Sequence, residues 1–576
     1  MWRRAGILLA LSSLPGVERD GLPGSVTKGG STVPGSLPDS GAKGGGPLPA
    51  GALGKAAYDF VDFLSEAGQR LWQILPIGPV GDGLSPYQSR SAFAGNPAFI
   101  DRRDIRQYPG RYAPKGAAYT RFLNENAAWL DDYALFEAVR ASQRGKPLPM
   151  WPDGLRNPSA KMLSSLREKF ETETGAVKHE QFCFFLQWRE LKRYANLKGV
   201  GIIGDLPIYV YEDSAEFWLR RRAFDAGADG RPRTSAGVPP DGFSKDGQIW
   251  NNPVYDWGRG RKEAFAFWRE RLAQAVRLYD GVRIDHFRAF ADFYAYPMED
   301  KGGGLSVILP ESRDGGALDL DAARNQVAAP ICEGQGHANL RNNVGLLTAR
   351  DGSPPKDEAK EADFSVLKEA REGEWREGEW REGPGKAFTD MLRKEYPGFF
   401  IIAEDLGELS DAAKNLVAES GFPGMKVLQF AFSGDPGNPY LPHNIPEHSV
   451  CFTGTHDNNT LLGWARGAPR AERLFAMEYL GLSRRGGAMG AQPAKVSSGA
   501  MLAEALADAL LAQALASRAE TAIIPLQDWL GLGAEARMNK PGTKGGRNWK
   551  WQCPKGALTR PLAARIRHAT KDLYDR

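Results

Sequence analysis

Gly281-Val282-Arg283-Ile284-Asp285-His286-Phe287-Arg288 reads as a short buried strand that puts an arginine and an aspartate on one face and then turns. Two more apolar runs finish the same way. One ends Ile401-Ile402-Ala403-Glu404-Asp405-Leu406-Gly407, the other Gly454-Thr455-His456-Asp457-Asn458-Asn459. Outward from these, the full set of strand-like runs is Gly6–Ala10, Arg70–Pro76, Val200–Val210, Gly281–Asp285, Phe399–Asp405, Gly424–Phe432, Ser449–Thr455 and Thr521–Gln527. Helix-patterned stretches follow most of them: Lys55–Gly68, Ser214–Phe224, Arg259–Tyr279, Lys386–Tyr396, Ser410–Ser420 and Ala500–Arg518. Alternating strand and helix predicts a parallel sheet, and eight alternations predict a closed (β/α)8 TIM barrel of class α/β.

Residues 107–198 carry only helical patterning, as in Tyr119–Arg140 and Gln181–Leu197, and are expected to form a helical subdomain inserted after strand two. Residues 18–50, 301–373 and 484–500 read as flexible low-complexity insertions. The tandem repeat Arg-Glu-Gly-Glu-Trp at 371–375 and 376–380 reads as low-complexity expansion. On this reading residues 1–576 make one catalytic barrel interrupted by those segments.

Lys and Arg number 74 against 70 Asp and Glu, so the net charge of +4 argues against nucleic-acid binding as the main role. Hydrophobic residues at 42% suffice for a large core. Cys183, Cys332, Cys451 and Cys553 lie far apart without a CxxC pair, so a reducing compartment, the cytoplasm, is expected. No run reads as the ~18 apolar residues of a membrane span, so no membrane partner is expected. Met1-Trp2-Arg3-Arg4 followed by Ala5–Leu11 reads either as a weak secretion signal or as a buried first strand. The strand is preferred, because the apolar run is short for a signal and no small-x-small cleavage site stands cleanly after it.

Active sites of such barrels sit at the C-terminal ends of the strands, where Asp285, Glu404 and Asp457 all fall. Burying three unpaired carboxylates is costly, so they need partners or chemistry. Arg283 shares a strand face with Asp285 and favours its ionised form. Glu404 follows three apolar residues, which raises its pKa. One charged and one protonated carboxyl is what glycoside hydrolysis uses. The competing interpretation is an ion-pair lattice closing the barrel's mouth. Asp205 could hydrogen-bond to a sugar or to Arg283, or simply end its strand. Trp250 and Tyr255 could stack on sugar rings or pack the core of a long loop. Nothing points to a cofactor or a metal: there is no Walker A pattern, GxGxxG, HExxH, zinc spacing or GxSxG elbow.

Taken together, these motifs resemble the 4-α-glucanotransferases (amylomaltase or disproportionating enzyme, glycoside hydrolase family 77) of the α-amylase superfamily. The matches include Ala67–Gln73, Ser85-Pro86-Tyr87-Gln88-Ser89, Ala94–Pro97, Arg283–Arg288, Ile402–Gly407, Gly421–Phe432, Tyr440–Asn444, Gly454–Asn458 and Pro525–Leu532. The resemblance implies Asp285 as nucleophile, Glu404 as general acid/base and Asp457 as the third carboxylate. It implies Tyr87, Asp205, Arg283, His286 and His456 as residues lining the same subsite; Trp250 and Asn458 join them as substrate-binding candidates. The implied substrates are maltodextrin, maltose and starch-like α-glucans, handled by a retaining mechanism. Two departures stand out. The family's His-Pro-Thr-Ser-Leu-Pro-Gly is Ala10-Leu11-Ser12-Ser13-Leu14-Pro15-Gly16 here, and its Pro-Pro-Asp-Tyr-Phe-Ser carries Gly242 at the Tyr position. The alternatives are an α-glucan hydrolase of the same superfamily and a degenerate, non-catalytic maltodextrin-binding protein.

Overall fold

The computed structural model describes residues 3–15, 52–81, 83–239, 247–298, 378–482, 499–543 and 545–576. Eight parallel strands close into a barrel: β1 (Arg4–Leu8), β2 (Leu71–Gln73), β3 (Gly201–Leu206), β6 (Gly281–Ile284), β9 (Phe400–Ala403), β10 (Gly424–Val427), β11 (Ser449–Phe452) and β12 (Thr521–Pro525). Each of the eight apolar runs supplies one strand: β1 is as long as its run but starts two residues earlier, and the other seven are one to five residues shorter, because the polar ends leave the ladder to build the mouth. Arg4–Leu8 pairs with both β12 and β2, so the N-terminal apolar run is a barrel strand.

Alternation along the strands sorts side chains into two cores. Leu8, Leu71, Ile203, Ile402, Met425, Val450 and Ile523 fill the barrel. Their strand neighbours Ile7, Trp72, Ile202, Val282, Ile401, Cys451 and Ala522 face the surrounding helices. Ile203 and Asp205 are two apart, so Asp205 continues the inward row, and it pairs in register with Arg283. Gly204 between them backs onto Tyr279, where a Cβ would come 2.4 Å from the ring.

Between β2 and β3 run five α-helices: Arg102–Gln107, Ala117–Ser142, Asp153–Arg156, Ala160–Lys169 and Glu171–Leu197. A second sheet was not foreseen. β4 (Thr234–Val238), β5 (Gln248–Pro253), β7 (Asp292–Pro297) and β8 (Glu379–Glu382) form an antiparallel sheet in the order β5-β4-β7-β8. The last two residues of the second Arg-Glu-Gly-Glu-Trp copy open β8: Trp380 pairs with Tyr294, and the Arg288 guanidinium lies 4.5 Å from the Trp380 ring centroid. The segments 18–50 and 301–373 fall outside the described residues, as do residues 484–498 of the third. Gly499 and Ala500 open a helix instead.

That helix, Gly499–Ala516, has 18 residues and a mean hydropathy of 1.4, so by length and composition it could cross a membrane, contrary to the sequence reading. It buries Leu506 and Leu510 in a cluster with Leu461 and Trp464 of helix Leu461–Gly467, with 28% of the helix buried.

Trp72 anchors the β2 wall. It is fully buried, its Nε1 donates to the Leu9 carbonyl at 2.8 Å, and it meets Phe60 edge-on at 5.0 Å. Trp72→Ala is expected to cost roughly 3–5 kcal/mol, read as a fall in the denaturation midpoint, with Trp72→Phe losing less.

Candidate active site

The site is built around one buried guanidinium. Arg283, on the inward face of β6, has a side chain only 5% exposed. Its Nη1 donates to both oxygens of Asp205 at 2.8 and 2.9 Å. Its Nη2 lies 2.8 Å from Asp285 Oδ1 and 3.8 Å from Glu404 Oε2. Laid end to end, those two legs keep the Asp285 and Glu404 oxygens under about 7 Å apart, in reach of the ~5–5.5 Å carboxyl spacing of a retaining pair. Burial alone would loosen the Arg283 proton. The charges of Asp205 and Asp285 reverse that and hold its pKa well above the ordinary value.

Glu404 leaves β9 with its carboxylate gripped by two amides: His286 N donates to Oε2 at 2.7 Å and Leu406 N to Oε1 at 2.8 Å. Burial still dominates and pushes its pKa up to about 7, with the Asp285 charge adding to the rise and Arg283 opposing it. Aiming the His286 amide at Glu404 requires a left-handed backbone, φ 49°, at His286. Leu84, Asn251 and Trp549 also hold positive φ. Trp549 packs against site residues and Asn251 adjoins Trp250, while Arg144 and Asp575 share the positive φ without joining the site. The His286 ring meets Trp250 edge-on at 5.0 Å, and burial lowers its pKa to about 3, so its imidazole is neutral.

Tyr87 links the third carboxylate to this group. Its hydroxyl donates to Asp205 Oδ2 at 2.6 Å, and its ring stacks on His456 at 5.1 Å and 18°. His456 Nε2 lies 3.5 Å from Asp457 Oδ2. The charges of Asp285 and Asp457 both act on Tyr87, whose pKa burial raises well above normal. The structure therefore brings Asp285, Glu404, Asp457, Tyr87, Asp205, Arg283, His286, His456 and Trp250 into one connected cluster. Asn458 plays a local part: its carboxamide oxygen accepts from Thr455 N and Oγ1, both at 2.9 Å, and shapes the loop. Tyr255 is core: it is buried, stacks on Phe224 at 5.2 Å, and donates its hydroxyl to the Ile208 carbonyl at 2.8 Å.

Several residues escaped the sequence reading. Asn539 Nδ2 donates to Asp457 Oδ1 at 2.6 Å, and Arg537 Nη2 to the Asp457 carbonyl at 2.6 Å. Buried Asp528 ties both ends of the same loop, accepting from Thr453 Oγ1 at 2.6 Å and Leu461 N at 2.7 Å. Trp549 lies against Tyr87 and His456 at 5.9 and 5.8 Å. Only Asp528 had a sequence signal, a polar residue just past the last apolar run; the others sit in irregular chain. Among the described residues no group of His, Cys, Asp or Glu could hold a metal ion.

The raised Glu404 pKa predicts a pH signature. The folded state holds this proton more tightly than the unfolded chain, whose value is near 4.5. The stabilisation from protonated Glu404 is full below about 4.5 and is lost as pH rises through about 7. Relative to Glu404→Gln, the wild type should lose about 3 kcal/mol across that window in denaturation experiments, then no more. A flat difference from pH 4 to 8 would contradict the assignment.

Comparison with known proteins places the chain in a family. The 4-alpha-glucanotransferase family profile matches residues 44–114 and 110–559. The 4-alpha-glucanotransferase of Thermus thermophilus is 35% identical over 563 residues, covering 91% of this chain and 95% of its own. That of Clostridium butyricum is 31% identical, covering 91% and 97%. The solved amylomaltase of Streptococcus agalactiae in complex with acarbose superposes with a TM-score of 0.72 at 28% identity, covering 100% of this chain and 99% of its own. The chain belongs to the 4-alpha-glucanotransferase family.

Proposed function

We infer that Asp285, Glu404 and Asp457 carry out a retaining transfer on α-1,4-glucans such as maltodextrin, maltose and starch-like chains. The observation that carries this reading is the Arg283 guanidinium held between Asp285 and Glu404, at 2.8 and 3.8 Å. The Arg283 guanidinium holds the Asp285 carboxyl in place as a nucleophile. Burial keeps Glu404 protonated below about pH 7 as an acid.

Asp285 attacks the anomeric carbon as the glycosidic C–O bond breaks, and Glu404 gives its proton to the departing 4-oxygen. The product is a covalent glycosyl-enzyme, inverted once. The 4-hydroxyl of a second glucan then attacks the same carbon, gives its proton to Glu404 and displaces Asp285, so the second inversion restores the α configuration. Asp457, oriented by Asn539 and with a side chain 44% exposed, is placed to accept hydrogen bonds from sugar hydroxyls. Neutral His286, with His456, Tyr87 and Trp250, completes the wall around the reacting ring. Transfer outpaces hydrolysis when a bound glucan excludes water from the intermediate. The cytoplasm is the compartment we propose, since unpaired cysteines such as Cys183, Cys451 and Cys553 suit a reducing environment.

Incubation with maltotriose tests the reading. Glucose plus a ladder of longer maltodextrins is expected. Shortening alone would mean hydrolysis, and no change would mean a binding protein. Asp285→Asn should cut transfer by roughly three orders of magnitude or more, and full activity in that variant would overturn the assignment.

A further inference from the structure

We propose that a second cleft, on the rim of the barrel face that carries the active site, binds a further segment of α-glucan. It lies between the four-stranded sheet and the start of helix Arg261–Leu278, encloses about 730 Å3, and shares no residue with the catalytic cluster. Pockets of roughly 300–1,000 Å3 suit small ligands. Helices of the barrel run antiparallel to its strands, so this helix, which feeds β6, starts at the end where β3 finishes. The cleft therefore opens at the same end as Asp285 and Glu404.

Its floor is half-buried Trp257, backed by the buried rings of Tyr255 and Phe293. Its walls carry fixed hydrogen-bonding groups of both signs. Asp225 accepts from Thr234 Oγ1 at 2.9 Å and Arg381 Nη1 at 3.0 Å, with Arg233 Nη1 at 3.6 Å. Asp256 accepts from Gly258 N at 3.0 Å, and the Arg261 guanidinium lies 5.1 Å from the Phe265 ring centroid. Arg259 and Glu382 complete the rim.

Mixed charge decides the ligand class. An anion would meet Asp225, Asp256 and Glu382, and a wholly apolar ligand would desolvate four arginines. A neutral ring with an apolar face and equatorial hydroxyls satisfies the floor and the walls together. Among such ligands an α-glucan is the one this enzyme already handles, so its identity rests on the glucan-transfer reading above. A chain held at both places gains effective concentration at the active site, which helps long donors and leaves short ones unaffected.

The test uses the full-length protein in native gels containing amylose, alongside transfer kinetics on amylose and maltotriose. Trp257→Ala removes the platform. The double variant Arg233→Ala/Arg259→Ala changes only rim residues and guards against misfolding of the first. Amylose should retard the wild type, and both variants should lose most of that retardation. KM for amylose should rise roughly fivefold or more while the maltotriose rate stays within about twofold. Unchanged retardation in the double variant, or parallel loss on both substrates, overturns the proposal. The two readings fail separately: absence of a maltotriose ladder from the wild type would refute transfer, while gel retardation would still report on the cleft.

Discussion

A single guanidinium, Arg283, is shared by the carboxyls of Asp205, Asp285 and Glu404 in a site almost closed to water. Buried charge of this kind carries a desolvation cost that pairing only partly offsets. One cation cannot neutralise three carboxylates at short range, so the site is most stable with a proton retained on one of them. The geometry selects which. Asp205 takes two close hydrogen bonds from Arg283 and Asp285 takes a direct contact, whereas Glu404 stands furthest off, and its burial outweighs the two backbone amides that favour its charged form. On the proposed mechanism the same ion cluster separates a nucleophile from an acid.

The barrel makes this arrangement almost compulsory once the sequence is threaded through it. Asp205 and Arg283 are register partners on adjacent strands, and Arg283 is followed two residues later by Asp285. Glu404 leaves the next strand with its amide donating to the Ile284 carbonyl at 3.1 Å. Three consecutive strands therefore deliver all four side chains to one end. Asp457 arrives differently, on a loop held at both ends by Asp528 and at its tip by Arg537 and Asn539. Its exposure, and its link to Arg283 only through His456, Tyr87 and Asp205, suit a group that answers to the sugar more than to the other carboxylates.

The barrel strands were legible because they are apolar and end abruptly in polar residues, a pattern that burial on both faces imposes. The same logic exposed the three carboxylates. The second sheet was not legible. Thr234–Val238 contains a glycine, and Glu379–Glu382 is almost wholly polar, so neither shows alternation; their pairing comes from tertiary contact. Trp250 and Tyr255 looked alike in sequence, and only packing separates them, one against His286 and the other sealed against Phe224. Trp549 and Asn539 could not be foreseen, because their role depends on where an irregular segment folds back over the mouth. The apolar helix Gly499–Ala516 shows the reverse error: two acids, Glu504 and Asp508, interrupt it, so it was not read as long and apolar although its composition is.

Trapping the covalent intermediate would test this account most directly. In Glu404→Gln, an α-maltosyl fluoride needs no acid to expel its leaving group, but the second step lacks its base. The account predicts that the intact protein gains one maltosyl unit and that peptide mapping places it on Asp285. A maltosyl group on any other residue, or no adduct while the wild type turns the fluoride over, would contradict it.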